Sequence, residues 1–297
     1  MKTKILTKEM ANELERKSKD RKVCIPSDVT DLANGCFANS NVTQVVLPKG
    51  LVSIGKNAFF SCTSLKEINF PNTLTRIGDS AFKNCFQLTE IDLSRTSLRE
   101  INTLVFYDCS SVKKVILPET ILEIKKSAFE KCAGLKEINL PNSLCSIGRS
   151  TFKDCKKLES IFLPESLQIL KEQAFMSCIS LKEITIPGSI SVVESKSFFE
   201  CVSLKSVAIK YGTTVIGTNA FANCLELETV ELPCTIAEIR EESFALCLKL
   251  NSIDIFSKAI YGKNVFAGCS NLHLTVSNET AQNALKHLWG IDNIFFF

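Results

Sequence analysis

The apolar residues of this chain follow two periods that alternate along its length. In the stretch Phe175 to Ile186, "FMSCISLKEITI", the residues Phe175, Cys178 and Leu181 step by three. That spacing gives them one shared face of a short helical or 3₁₀ turn. Ile184 and Ile186 then step by two, the mark of a strand with one buried face. Ile190 and Val193 step by three again before Phe198 restarts the pattern.

The unit recurs eleven times. Phe37, Phe59, Phe82, Phe106, Phe129, Phe152, Phe175, Phe198, Phe221, Phe244 and Phe266 are 22 to 24 residues apart, mostly 23. Three residues after ten of them stands a cysteine: Cys62, Cys85, Cys109, Cys132, Cys155, Cys178, Cys201, Cys224, Cys247 or Cys269. Ser40 takes that place in the first unit. One register kept from end to end predicts a repeat solenoid of about eleven 23-residue coils, with parallel strands joined by short helical or 3₁₀ turns. A single coil buries too little to stand alone, so its neighbours supply strand hydrogen bonds and shared apolar surface.

All eight prolines, from Pro26 to Pro233, fall in one column just past the predicted strand. A residue without an N–H ends the ladder there. Gly55, Gly78, Gly148 and Gly217 follow the second apolar pair, where a corner of positive φ is expected. Three coils are irregular. "DLSRTSLREI" has Ser94 in the proline column and one extra residue, and "AIKYGTTVIG" has Lys210 there with Thr213 at an apolar position. "DIFSKAIYG" is one residue short, with Phe256 in the proline column.

Ahead of the repeats, Leu6, Met10 and Leu14 lie at i, i+4 and i+8, which predicts an amphipathic helix. The expected organisation is an N-terminal helical cap over 1–22, the solenoid over 23–276 and a C-terminal cap over 277–297. Apolar residues make up 45% of the chain, enough for a core. Its 35 basic and 32 acidic residues are interleaved and leave a net charge of +3, so no basic face for nucleic acid is expected. No apolar run is long enough for a membrane span. The first residues have neither an apolar signal core nor a small-residue cleavage site, so the cytoplasm is the expected location.

Fourteen cysteines bring four chemistries into view. A nucleophile needs an adjacent base, and the only histidines, His273 and His287, lie near the C-terminal end. Zinc sites favour closely paired ligands, and the chain contains no C-x-x-C. Disulfides between stacked equivalents would bring the Cα atoms within range but hold the Cβ atoms about 4.8 Å apart, wider than the usual 3.5–4.5 Å, and a reducing compartment disfavours them. Packing remains: a cysteine three residues after a buried phenylalanine fills a tight corner and can hydrogen-bond to the backbone. The expected core is Phe59, Phe82, Phe106, Phe129, Phe152, Phe175, Phe198, Phe221 and Phe244 with Cys62, Cys85, Cys109, Cys132, Cys155, Cys178, Cys201, Cys224 and Cys247. Cys24, Cys36, Cys145 and Cys234 are out of that register, and exposed thiols are expected among them. With no phosphate loop, dinucleotide fingerprint, metalloprotease motif or nucleophile elbow, neither an enzyme nor a cofactor is expected.

"LKEINLPNSLCSIGRSTFKDCKKL" and "LKEITIPGSISVVESKSFFECVSL" resemble the BspA-type leucine-rich repeats of bacteria and mucosal protists, over about residues 23 to 276. The tail "LTVSNETAQNALKHLWGI" is similar to that family's terminal cap, and the cysteine column resembles the cysteine-bearing versions of amoebic protists. The resemblance implies a right-handed solenoid with a parallel sheet on one side and short turns on the other. It also implies protein binding, with adhesion to host or matrix proteins in surface members.

A partner would meet the outward strand positions. Along that column Ile116, Asn139, Phe162, Thr185 and Ala208 form the expected binding centre, with Glu137, Ser160 and Glu183 as a polar rim. The expected function is a monomeric, non-enzymatic protein-interaction scaffold, the alternative being a surface adhesin that binds host or matrix proteins.

Overall fold

The computed structural model describes residues 4–254 and 259–272. They form two compact units: residues up to Ser146 with Asp154–Lys156, and Ile147–Lys153 with the residues from Lys157 on. The coils of both units share one plan. A first strand leads into a turn opened by proline, then come a second short strand and a run of tight turns through phenylalanine and cysteine.

In the first unit Lys22–Cys24, Gln44–Val46 and Glu67–Ile68 pair in parallel, as do Glu90–Asp92, Lys114–Ile116 and Glu137–Ile138. In the second unit Glu183–Ile186, Ser206–Ile209 and Thr229–Glu231 do the same. The register is one coil, so Ile184 faces Val207 and Val207 faces Val230. Buried side chains therefore stack on their own equivalents. Each proline carbonyl accepts the N–H three residues on, as Pro187 does from Ile190 at 3.1 Å.

A second parallel sheet, which the sequence pattern did not announce, runs through the Ile190–Val193 side of the coil. It contains Ile5–Leu6, Asp31–Leu32, Ser53–Ile54 and Arg76–Ile77 in the first unit. Val192–Val193, Val215–Ile216, Glu238–Ile239 and Ile260–Tyr261 form a separate sheet of this kind in the second unit, and Glu100–Ile101 pairs with Glu123–Ile124 in another. Two-residue strands are too short to show an alternation.

The phenylalanine rings form continuous stacks. From Phe37 to Phe129 the centroids are 5.1–5.5 Å apart, and from Phe152 to Phe266 they are 5.2–5.7 Å apart. Ring planes stay within 15° of parallel, the offset arrangement that aromatic quadrupoles favour.

Around each phenylalanine the backbone makes 3₁₀-type bonds, such as Phe60 N–H to Asn57 O and Cys62 N–H to Phe59 O. Left-handed residues interrupt the run two positions before and two positions after the ring. Around Phe59 they are Asn57 and Ser61 (φ +55° and +54°), and around Phe198 they are Lys196 and Glu200 (φ +57° and +61°). These residues turn alternate N–H groups toward the next coil: Asn57, Phe59 and Ser61 donate to Asp79, Ala81 and Lys83 at 2.7–3.0 Å. Each left-handed non-glycine residue costs about 1–2 kcal/mol, and the inter-coil bonds it orients offset that cost.

The glycine corner works differently from expectation. Gly55, Gly78, Gly148 and Gly217 do not have positive φ; among the described residues the glycines that do are Gly35, Gly212 and Gly268. A Cβ on Gly55, Gly78 or Gly217 would stand 2.5–2.7 Å from the backbone of the preceding coil, so close approach is what demands glycine there.

The N-terminal helix spans Lys8–Lys17, and Thr7 caps it by accepting the Met10 N–H. Leu6 lies outside it, buried in the edge strand Ile5–Leu6, because the capping residue separates it from the first helical turn. Met10 and Leu14 are half-buried. Among the irregular coils, Ser94 bonds to Asp92, and the buried Thr96 donates to Leu93 O at 2.7 Å. Buried Thr213 donates to Ile190 O at 2.7 Å, which explains a hydroxyl at an apolar position. Phe256, His273, His287 and the expected cap over 277–297 lie outside the described residues.

Candidate functional site

The ten cysteines in register are all buried, and each donates its thiol proton to the phenylalanine carbonyl of the preceding coil. In the first unit Cys62, Cys85, Cys109, Cys132 and Cys155 reach Phe37, Phe59, Phe82, Phe106 and Phe129 at 3.0–3.3 Å. In the second, Cys178, Cys201, Cys224, Cys247 and Cys269 reach Phe152, Phe175, Phe198, Phe221 and Phe244 at 3.1–3.3 Å. Ser40 has no earlier phenylalanine coil to reach, and its hydroxyl instead accepts the Val42 N–H.

Burial makes seven of these thiols poor nucleophiles. It pushes Cys62, Cys132 and Cys201 up to about 12, and raises Cys85, Cys109, Cys224 and Cys247 well above the ordinary thiol value. The thiolate is the reactive form, so these seven hold their protons and pack, whereas a hydrogen bond with Cys247 lowers Cys269. Of the four cysteines out of register, Cys36 is buried, because it occupies the small-residue position before phenylalanine that Ala58 and Ala81 fill in later coils. Cys24 and Cys234 are exposed and Cys145 is half-buried.

The outward strand column divides between the two units. In the first, Ile116 is half-buried and Glu137 is exposed, 3.9 Å from Lys114 Nζ. Asn139 is exposed, yet its carboxamide is committed to the preceding coil. Leu117 N–H donates to Oδ1 at 2.8 Å, and Nδ2 donates to Leu117 O at 3.2 Å. Asn69 treats Leu47 in the same way. In coils without asparagine a backbone carbonyl does this work, as Ile116 O does for Leu93 N–H. The strands accordingly stop at Ile68 and Ile138, one residue early.

In the second unit Phe162 is 70% exposed, so neighbouring side-chain stems do not cover it. Ser160 is exposed beside it. Their coil corrects the expectation of a strand in every repeat: residues 158–164 carry none. Lys182 N–H to Glu159 O, at 3.1 Å, links this coil to the next without building a ladder. Glu183–Ile186 is consequently the edge strand of its sheet. On it Glu183 and Thr185 point outward, and Thr185 faces the half-buried Ala208 in register.

The family described as BspA type Leucine rich repeat region (6 copies) matches residues 30–159 and again residues 145–273. The chain belongs to the BspA-type leucine-rich repeat family. Among solved structures, a leucine-rich repeat protein from Bacteroides ovatus is similar at 25% identity and a TM-score of 0.63, over 93% of this chain and 83% of that one. A leucine rich cell surface protein from Faecalibacterium prausnitzii is similar at 25% identity and a TM-score of 0.58, over 94% of this chain and 88% of that one. No curated protein matches the sequence.

This BspA-type chain also has a polar column that the apolar reading passed over. Two residues after proline, Thr73, Thr120 and Ser143 donate to Leu51, Leu98 and Ile121 carbonyls of the preceding coil at 2.5–2.6 Å. Ser189 and Thr235 do the same to Leu167 and Thr213 at 2.7 Å. The signal was present as a recurring proline, any residue, then serine or threonine. Among the described residues no helix is long and apolar enough to cross a membrane, and no three metal-binding side chains come together.

Proposed function

We propose that this BspA-type leucine-rich repeat protein is a non-enzymatic protein-binding scaffold whose partner docks on the strand face of the second unit. The observation that carries this reading is Phe162, an aromatic ring 70% exposed beside a sheet edge. Ser160, Glu183, Thr185 and Ala208 supply a mixed polar rim around it, the composition of an interface centre and its border. Ile116 and Glu137 lie on the first unit's own strand face, where Asn139 acts as a stitch between coils. A reducing compartment suits the protein, because ten thiols donate hydrogen bonds that oxidation would abolish.

The test compares proteins captured by the wild type and by Phe162→Ala, using quantitative mass spectrometry. At least one partner is expected to fall about tenfold or more while the melting temperature holds. An unchanged set of partners, or a variant that unfolds markedly earlier, would overturn the reading.

A second reading, a surface adhesin, is favoured by the likeness to the Faecalibacterium cell surface protein. A thiol count on the denatured, unreduced protein separates the two: close to fourteen free thiols supports the reducing compartment, and extensive oxidation supports the surface. Protease protection on intact cells then decides exposure.

A further inference from the structure

Along the second-strand side of the first unit's coils runs a shallow groove of about 560 Å³, from Asp31 to Glu100. Four charged side chains line it: Asp31, Arg76, Arg99 and Glu100. Both carboxylates are already hydrogen-bonded or ion-paired, although hydroxyls leave the Asp31 charge in place, and with Lys125 the groove's groups sum to one net positive charge. Asp31 accepts from the Ser53 hydroxyl and from Thr30 Oγ1, the latter at 2.7 Å, and Glu100 pairs with Lys125 Nζ at 2.8 Å. The arginines are not. Both are exposed, and among the described residues neither guanidinium has an ion-pair or hydrogen-bond partner.

Two unpaired guanidinium groups in one groove present planar donor forks that match carboxylates. They stand on neighbouring coils, where the ring stack advances 5.4 Å from Phe82 to Phe106. Acidic side chains at i and i+2 of an extended segment lie about 7 Å apart on one face, within reach of both arginines. Val52, 41% exposed in the same groove, offers an apolar contact beside them. We propose that this groove is a second docking surface, which takes an acidic, extended segment of a partner protein and pairs its carboxylates with Arg76 and Arg99. It is independent of the Phe162 face, and either surface can fail without the other.

The experiment measures fluorescence anisotropy of a labelled Ser-Glu-Val-Glu-Ser peptide on the full chain, with Ser-Gln-Val-Gln-Ser as the neutral probe. The acidic peptide is expected to bind, more weakly as salt rises, and Arg76→Gln with Arg99→Gln to weaken it about tenfold. Lys210→Gln with Lys263→Gln removes the same charge from exposed positions in the second unit and is expected to change affinity less than about twofold. Circular dichroism checks that all variants keep the native melt. Failure of the acidic peptide to bind would overturn the proposal, as would equal binding of the neutral peptide or equal losses in the two double variants. A heparin hexasaccharide that binds more tightly than the peptide and is lost in the arginine variant would overturn the peptide assignment in favour of a sulfated glycan.

Discussion

Raising the pH above about 8.5 is expected to destabilise the protein through its buried thiols, because the unfolded chain ionises them first. Burial pushes Cys36, Cys62, Cys132 and Cys201 up to about 12 in the folded protein. Between the unfolded and folded values the native state keeps a proton that the unfolded state has released. Stability therefore falls as pH rises through that window, and is independent of these groups below it. At pH 10 each such thiol removes about 2 kcal/mol. Three of the four belong to the first unit, so about 6 kcal/mol is lost there at pH 10, against a typical domain stability of about 5–15 kcal/mol. Cys85 and Cys109, raised further by burial in that unit, act in the same direction. The assay is urea unfolding across this pH range under reductant, with thiolate ultraviolet absorbance followed in parallel. Cys132→Ser keeps a donor for the Phe106 carbonyl but removes one titrating proton, and should reduce the pH slope by about 1.4 kcal/mol per unit. The reasoning fails if Cys132→Ser removes part of the thiolate absorbance that the folded protein develops at the ordinary thiol pKa, or if it leaves the slope unchanged.

Two substitutions test the packing directly by urea unfolding. Phe175→Ala opens a cavity between Phe152 and Phe198, whose rings lie 5.2 and 5.3 Å away, and should cost about 3–5 kcal/mol; a loss within experimental error would refute burial of the column. Gly78→Ala forces a Cβ within 2.5 Å of Lys56 N and should cost about 1–3 kcal/mol. Gly50→Ala, with nothing near its Cβ, should change stability by less than about 0.5 kcal/mol, and equal effects would count against close approach as the reason for glycine.

The coil length, the stacked rings and the end of each first strand were legible because each rests on one large or conformationally restricted residue. A phenylalanine every 23 residues has one economical place to go, and proline fixes where the ladder ends. The left-handed positions were not legible. Leu104, Lys196 and Leu246 adopt positive φ with none of the glycine or asparagine signature that normally marks it. What holds them is the hydrogen bond to the next coil, a tertiary effect with no local trace. The burial of Cys36 was not legible from the cysteine column, because it joins the alanine column instead. Asn139 misled: an exposed amide looks available until its bonds to Leu117 are seen.

That last case gives a rule for finding function in so repetitive a molecule. Stacking consumes polar groups in order: left-handed N–H groups, cysteine thiols, the serine and threonine hydroxyls after proline, and the asparagine carboxamides all bond to an adjoining coil. A group used in this way cannot be lost to a partner without loosening two coils, so substituting it lowers stability first. Binding groups are those that the stacking leaves uncommitted. By that subtraction Asn139 leaves the candidate interface although it is exposed, and Phe162 stays because its coil lacks a strand and its ring lies open. Arg76 and Arg99 enter by the same rule, since among the described residues neither guanidinium has an ion-pair or hydrogen-bond partner. Stability and binding should therefore separate cleanly by residue in each unit: a substitution at Phe162, Arg76 or Arg99 moves affinity with the melt unchanged, and one at Phe175 or Cys132 moves the melt.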